Sequence, residues 1–585
     1  MSADPVRALV LAWRVLPAPL RGTLRLAGPY GRATTLWGSG ERDAALAALA
    51  AWPRRLAAFA LATDQPAAAA TAIAALPDDD RARPVLAARL AWREGRLSDA
   101  IKTLDAASSR RARRPRAAAT RRARRLRTTL QAEQSLLTGV HPRLRETGTS
   151  EPQTMIVASS DQIGSVSGHD HERGTPRGTP TRVLHLVTDA LPATSAGYTI
   201  RTHEIVVAQR AAGLDPHVVT RCGYPVTAGT LDARRLVVLD GVPYHRLLPP
   251  VLPARADRAA DLGLDLAARL TSKLRPAVLH AASNYANARI ALALGNRYDL
   301  PVVYEVRGFW EDTWLSRYPD AGRLASSELY KGNRDLETTS MLEADLVVTL
   351  GEAMREEIVA RGVPADKVLI VPNAVSQEFL RGPLPDAAAL RESLGISAES
   401  FVVGEVTTLV PHEGIGTLLE ATRLLTERGV PVRTLIVGDG PERAALQRQA
   451  AGAGLGEAAI FTGRVPAARV REFHALLDVF VVPRTRDRVC QLVTPLKPVE
   501  AMASGLCVVT SEVKALTEII KHEVTGALTI PQDPVSLADC LEFLFYSPDI
   551  RRKLGDNARE WVARDRTWAH QAARYSDAYA LLGAN

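Results

Sequence analysis

The chain has 585 residues, a formal net charge of +9 and a low aromatic share of 5%, with Ala and Arg so abundant that a GC-rich genome explains the composition better than an unusual fold does. That length exceeds what one hydrophobic core organises, so three or four folded units are expected. The four cysteines (Cys222, Cys490, Cys507, Cys540) lie far apart without CxxC spacing, which argues for reduced thiols and against a disulfide framework or a zinc site. No apolar run reaches the ~18 residues of a membrane span and the first residues lack a secretory-signal pattern, so a cytoplasmic protein is expected.

Residues 1–145 read as an all-α, Ala-rich extension. Three stretches, 36–49, 62–76 and 90–104, each place a polar or Gly-containing turn before a small-residue helix, as in Arg93-Glu94-Gly95-Arg96-Leu97. The last resembles a tetratricopeptide repeat, in which small residues let paired helices pack closely; the uneven spacing leaves a generic helical bundle open. From Arg110 to Arg127 there are ten arginines in eighteen residues and no acid. Such a block attracts polyanions (an anionic membrane surface, nucleic acid or an acidic protein partner) or forms a solvated helix face. Nucleic acid is the weakest of these, because no aromatics are interleaved.

Residues 146–180 change to Gly, Ser, Thr, Pro and Asp, ending in Gly174-Thr175-Pro176-Arg177-Gly178-Thr179-Pro180, and read as a flexible linker. His169 and His171 within it are solvated residues on this reading, not metal ligands.

From 181 the pattern is α/β. Buried-strand signals at 183–187, 216–220, 277–280, 302–306, 346–349 and 368–371 alternate with helical segments, and a second series follows at 401–406, 434–437, 459–461, 479–482 and 507–509. Alternation of this kind predicts two doubly wound, Rossmann-like domains, 181–383 and 384–585, with ligands bound in the cleft at the carboxyl ends of the strands.

The most informative segment is Val493-Thr494-Pro495-Leu496-Lys497-Pro498-Val499-Glu500, continuing through Ala503 to a glycine stop and a buried strand. A helix start offers unpaired N–H groups and a positive dipole end to a diphosphate; Lys497 adds a point charge, and Glu500 can accept hydrogen bonds from sugar hydroxyls. This segment resembles the donor-site signature of the retaining GT-B glycosyltransferases of family 4, in the subgroup with PLKPxEAMA. Further elements of that family follow in chain order: Ser195-Ala196-Gly197-Tyr198 resembles its glycine loop, Val371-Pro372-Asn373-Ala374-Val375 its PNGV element, Ile436-Val437-Gly438-Asp439-Gly440-Pro441 its GxGP turn, and Phe461-Thr462-Gly463-Arg464-Val465 its base-contacting loop. The terminal helical stretch after Thr567 corresponds to one that crosses back onto the first domain in that family.

The resemblance implies an EC 2.4-class hexosyltransferase that uses a UDP- or GDP-sugar and a glycan, lipid-linked or small-molecule acceptor, with retention, no cofactor and no metal. Donor-side residues are then Gly197, Thr408, Glu413, Gly438, Arg464, Gln491, Val493, Thr494, Lys497 and Glu500. Lys497, Arg464 and Arg307 are expected to stabilise the departing diphosphate. Tyr198, His280, Glu305 and Trp310 are the acceptor-side candidates, with Arg307 serving either an anion or a bracing pair with a glutamate, and His280 either the acceptor or the core.

Two departures stand out. Thr408 and Glu413 occupy the positions of the family's usual phosphate-binding Arg and Lys, and Gln491 stands near the place of an acid that contacts the sugar. They motivate a second reading, a catalytically weakened relative acting as a binding scaffold through its helical repeats.

Overall fold

The computed structural model describes residues 28–38, 42–110, 117–138, 180–316, 318 and 321–583. Residues 146–179 of the linker expected at 146–180, with His169 and His171, and the arginines at 111–116 lie outside the described residues.

The first α/β unit is an eight-stranded sheet with β1 (Arg182–Val187), β2 (Asp215–Thr220), β3 (Leu236–Leu239), β4 (Val242–Arg246), β5 (Val278–Ala282), β6 (Val302–Val306), β7 (Leu346–Thr349) and β8 (Val368–Ile370), in the order β3-β4-β2-β1-β5-β6-β7-β8. All neighbours are parallel except the β3–β4 hairpin at the edge. The central strands are apolar throughout because both faces are covered: Leu184 and Leu279 pack towards Leu264 and Ala288, whereas Val183, Val278 and Val303 pack towards Ile205, Tyr575 and Tyr579. Strands β3 and β4 were not anticipated. Their signal is Asp240-Gly241, both at positive φ (47° and 77°), which builds the tight turn between two apolar runs.

The second unit is a six-stranded parallel sheet with β9 (Phe401–Val406), β10 (Val432–Val437), β11 (Ala459–Gly463), β12 (Val479–Val482), β13 (Cys507–Ser511) and β14 (Ala527–Thr529), in the order β11-β10-β9-β12-β13-β14. β14, only three residues long, was also missed. Upstream of the boundary expected at 383/384, Val375, Phe379 and Leu380 pack against the core of the second unit. The terminal helix Trp568–Leu581 returns to the first domain, where Trp568, Tyr575 and Tyr579 are buried under its sheet.

The extension consists of short helices, among them the antiparallel pairs Pro53–Ala62 with Pro66–Ala74 and Arg83–Arg93 with Leu97–Arg110. It docks on the first domain through the turn after Arg93. Leu329 N–H donates to Gly95 O (3.1 Å), and Ser98 N–H donates to Glu328 Oε2 (2.9 Å). Gly95 has φ +73°, and a Cβ there would stand 2.7 Å from Ser327 Oγ. Gly95→Val is therefore expected to cost about 1–2 kcal/mol in backbone strain alone and to loosen the extension. Limited proteolysis checks this; an extension as resistant as in the parent protein refutes it. No helix among the described residues is long and apolar enough to cross a membrane.

Candidate functional site

The carboxyl ends of the two sheets face each other across a cavity of about 280 Å³. Gly197, Tyr198, Arg201, Arg307, Leu350 and Asn373 line it from the first domain. Glu405, Thr407, Thr408, Glu413, Arg484 and the segment Val493-Thr494-Pro495-Leu496-Lys497 line it from the second. The walls touch: an added Cβ at Gly197 would sit 4.0 Å from Leu496, and one at Gly308 would sit 3.5 Å from Val493.

Local sequence explains this placement. Helix Gly197–Ala211 begins at the cavity because Thr199 Oγ1 accepts from Ala196 N–H (2.9 Å) and ends the preceding loop there. Arg307 directly follows β6, and Arg484 follows β12 after Pro483, so both are aimed by strand ends. Asn373 joins the domains: its Nδ2 donates to Thr494 O (2.8 Å), and its Oδ1 accepts from Arg201 Nη1 (3.0 Å).

Behind the first-domain wall lies a buried charge cluster. Glu305, with no exposed surface, accepts from Arg201 Nε (2.8 Å) through Oε1, and from Arg307 Nη2 (2.9 Å) and His280 Nε2 (3.1 Å) through Oε2. Burial by itself would raise the Glu305 carboxyl, but the Arg307 and Arg201 guanidiniums hold it well below the usual range. Burial lowers the His280 pKa, so its ring is neutral, giving Nε2–H to Glu305 and accepting the Tyr579 hydroxyl at Nδ1 (2.6 Å). Arg307 Nη1 also donates to Thr202 Oγ1 (2.6 Å) and Tyr198 O (2.8 Å).

On the second-domain wall, Arg484 Nε and Nη2 donate to Glu413 (3.1 and 2.8 Å), and Nη1 donates to Val493 O (2.9 Å). Burial opposes the Glu413 charge, but Arg484 keeps that carboxyl below its usual range. Lys497 Nζ lies 3.1 Å from Glu500 Oε2. Three buried polar atoms of the lining residues, Glu405 Oε2, Thr494 Oγ1 and Arg307 Nε, have no hydrogen-bond partner among the described residues. Orphaned polar atoms are rare in folded proteins, and these three belong to residues that line one cavity, where a polar ligand could complete the bonding.

Of the residues singled out in the sequence, Gly197, Tyr198, Arg307, Thr408, Glu413, Val493, Thr494 and Lys497 share this cavity. The others stand elsewhere. His280 and Glu305 are fully buried behind the wall and turned to the terminal helix, so neither lines an acceptor surface. Arg464 is exposed on the loop after β11 and is not among the residues that line the cavity. Gln491 turns its amide oxygen to Lys514 N–H (3.0 Å). Glu500 is buried beneath Lys497, Trp310 is 41% exposed at a helix start, and Gly438 packs one strand away against Thr407. Arg201, Arg484, Glu405 and Asn373 were not assigned roles from the sequence. Arg484 had a usable signal, a cation immediately after a buried strand.

The glycosyl transferase 4-like domain model matches residues 196–374, and the model of glycosyl transferases group 1 matches residues 386–561. The chain carries the two domains of a GT-B glycosyltransferase. Among the relatives of this chain, the GDP-mannose-dependent α-(1-6)-phosphatidylinositol monomannoside mannosyltransferase of Mycolicibacterium smegmatis is 28% identical over 238 residues, covering 40% of this chain and 62% of the relative. An uncharacterised glycosyltransferase of Methanocaldococcus jannaschii is 27% identical over 249 residues, 42% of this chain and 62% of that one. The chain thus spans about three fifths of the length of the curated relatives it matches. Among solved structures, sucrose-phosphate synthase of Thermosynechococcus elongatus aligns with TM-score 0.56 at 20% identity, over 69% of this chain and 99% of that one. Anabaena HepE in complex with UDP aligns with TM-score 0.53 at 18% identity, over 68% and 100%. These last two likenesses bear on the fold alone.

Proposed function

We propose that the protein transfers a hexose-type sugar from a UDP- or GDP-sugar to a glycan, lipid-linked or small-molecule acceptor, with retention of configuration. The observation that carries this reading is the convergence, in one interdomain cavity, of the Val493–Lys497 segment with Arg307 and three orphaned polar atoms. Relatives named for GDP-mannose support a nucleotide-sugar donor. We also read the chain as one of the PLKPxEAMA subgroup, on the run Pro495 to Ala503. The extension is read as tetratricopeptide-like, on its paired helices with buried Ala57, Ala60, Ala69, Ala72, Ala88, Ala91 and Ala100.

As the anomeric bond breaks, negative charge builds on the leaving diphosphate. Lys497 and Arg307, held near it by Glu500 and Glu305, stabilise that charge in a site partly shielded from water. The reading is metal-independent transfer, as the resemblance carried by the Val493–Glu500 segment implies. A panel of nucleotide sugars tests the proposal: one donor is hydrolysed or transferred, EDTA leaves the rate unchanged, and NMR of the product shows the donor's anomeric configuration. No turnover of any UDP- or GDP-sugar refutes it.

Gly438, at φ +147°, would carry a Cβ 1.8 Å from Thr407 O. Gly438→Ala must displace the loop that lines the cavity, so we expect a stability loss of about 1–3 kcal/mol and weakened UDP or GDP binding, read by calorimetry. Unaltered affinity speaks against a donor loop here.

The exposed Arg124 and Arg125 on helix Ala117–Leu137 support docking of the extension on an anionic membrane face or an acidic protein. Flotation with phosphatidylglycerol vesicles, compared with neutral ones, tests it; equal recovery from both sinks it.

A further inference from the structure

The loop that follows β9 carries Thr408 and Glu413, so it presents no arginine or lysine, and a glutamate lines the cavity instead. The fold brings a cation from another strand. Gly414, at φ +72°, would carry a Cβ only 1.9 Å from Pro483 O, so only a glycine lets the end of β12 come this close. Thr485 N–H (3.1 Å) and Cys490 Sγ (3.3 Å) fasten the same segment to His412 O. Arg484 is thereby set against Glu413 at the cavity wall.

Arg484 has five N–H donors, of which the bonds to Glu413 and Val493 O use three. Two remain, on Nη1 and Nη2. Next to it Glu405, 1% exposed, carries the orphaned Oε2. Burial first, and then the Glu413 charge, push the Glu405 carboxyl well above its usual range, with Arg484 acting the other way. A shift in this direction favours the protonated form, which has an O–H to donate.

We propose that Arg484 and the carboxyl of Glu405 bind the donor's diphosphate, with Glu413 as the positioning residue that holds the guanidinium in place. The inference rests on the nucleotide-sugar reading above. A planar fork with two spare donors, flanked by a carboxylic O–H, suits two oxygens of one diphosphate. The Arg484–Glu413 pair adds little net charge, so Lys497 and Arg307 supply the charge, while Arg484 and Glu405 supply directed hydrogen bonds.

The test is calorimetry on the full chain with UDP and UMP, repeated with GDP and GMP, reading the ratio of diphosphate to monophosphate affinity. Arg484→Ala combined with Glu413→Gln removes the pair without leaving a buried charge and is expected to lower that ratio about tenfold. Arg484→Lys keeps the charge, loses the fork and is expected to lower it comparably. Glu405→Ala reduces the ratio, whereas Glu405→Gln, which keeps an N–H donor, restores it to within about threefold of the parent. Circular dichroism and thermal midpoints identify variants that fail to fold, and the Glu405 pair then decides. A parent protein that binds neither UDP nor GDP refutes the nucleotide-sugar reading itself. A parent that binds them with ratios unmoved by Arg484→Lys and by Glu405→Ala overturns this inference and leaves that reading standing.

Discussion

Lys497→Ala is expected to lower kcat/KM by about 100- to 1,000-fold, the effect of removing a group aimed at charge that develops in the transition state. The ammonium is half-buried at the start of helix Lys497–Ala503, and the cavity opens beside it. Its one described contact, with Glu500, is an i,i+3 pair of a kind worth about 0–1 kcal/mol. Folding stability should hardly change, and this separates the variant from those that damage the scaffold. Lys497→Arg should recover only part of the loss, because a planar fork cannot occupy the position of a compact point charge. Steady-state rates with the donor found in the panel check this; a kcat/KM within threefold of the parent removes Lys497 from the mechanism.

The second large effect is on stability. Glu305→Gln takes the carboxylate from between Arg201 and Arg307, whose side chains are 2% and 9% exposed. Breaking a buried pair costs about 3–5 kcal/mol because it leaves charge without a partner, and here two guanidiniums lose theirs. The pH dependence follows from the direction of the Glu305 shift. A carboxyl held below its unfolded value of about 4.3 contributes stability that is present above that pH and is lost as pH falls through the folded value. The stability gap between parent and variant should therefore be widest near neutrality and close progressively below about pH 4. Denaturant unfolding followed at several pH values checks this; a variant as stable as the parent at pH 7 contradicts it. Activity should fall as well, since Arg307 loses one of its anchors at the cavity.

The same cluster explains why the terminal helix matters to the site. Tyr579 hydrogen-bonds His280, Arg201 Nη2 lies 3.3 Å from the Tyr575 hydroxyl, and the Arg201 guanidinium lies over the Trp568 ring at 5.4 Å. Residues up to 374 positions apart thus brace one cleft wall.

The sequence by itself determined the local and periodic features. Eleven strands were legible as apolar runs, because strands covered on both faces leave no polar alternation. The Val493–Glu500 segment was legible because its proline, lysine and glutamate sit within a single turn and its start. Gly197, Tyr198, Thr408 and Glu413 were found because the loops that carry them resemble, or depart from, local elements of the family. What stayed hidden depends on partners distant in the chain. His280 and Glu305 looked like cleft residues from their strand-end positions, yet the fold of the terminal helix over β5 and β6 buries them. Gln491 looked like a sugar contact by spacing, but a short helix presents its amide to Lys514 N–H. Glu413 looked like a lost cation until the close approach at Gly414 placed Arg484, 71 residues later, against it. Which wall a side chain faces, and whether a charge has a counter-ion, are decided by packing between separate segments, and spacing along the chain does not encode them.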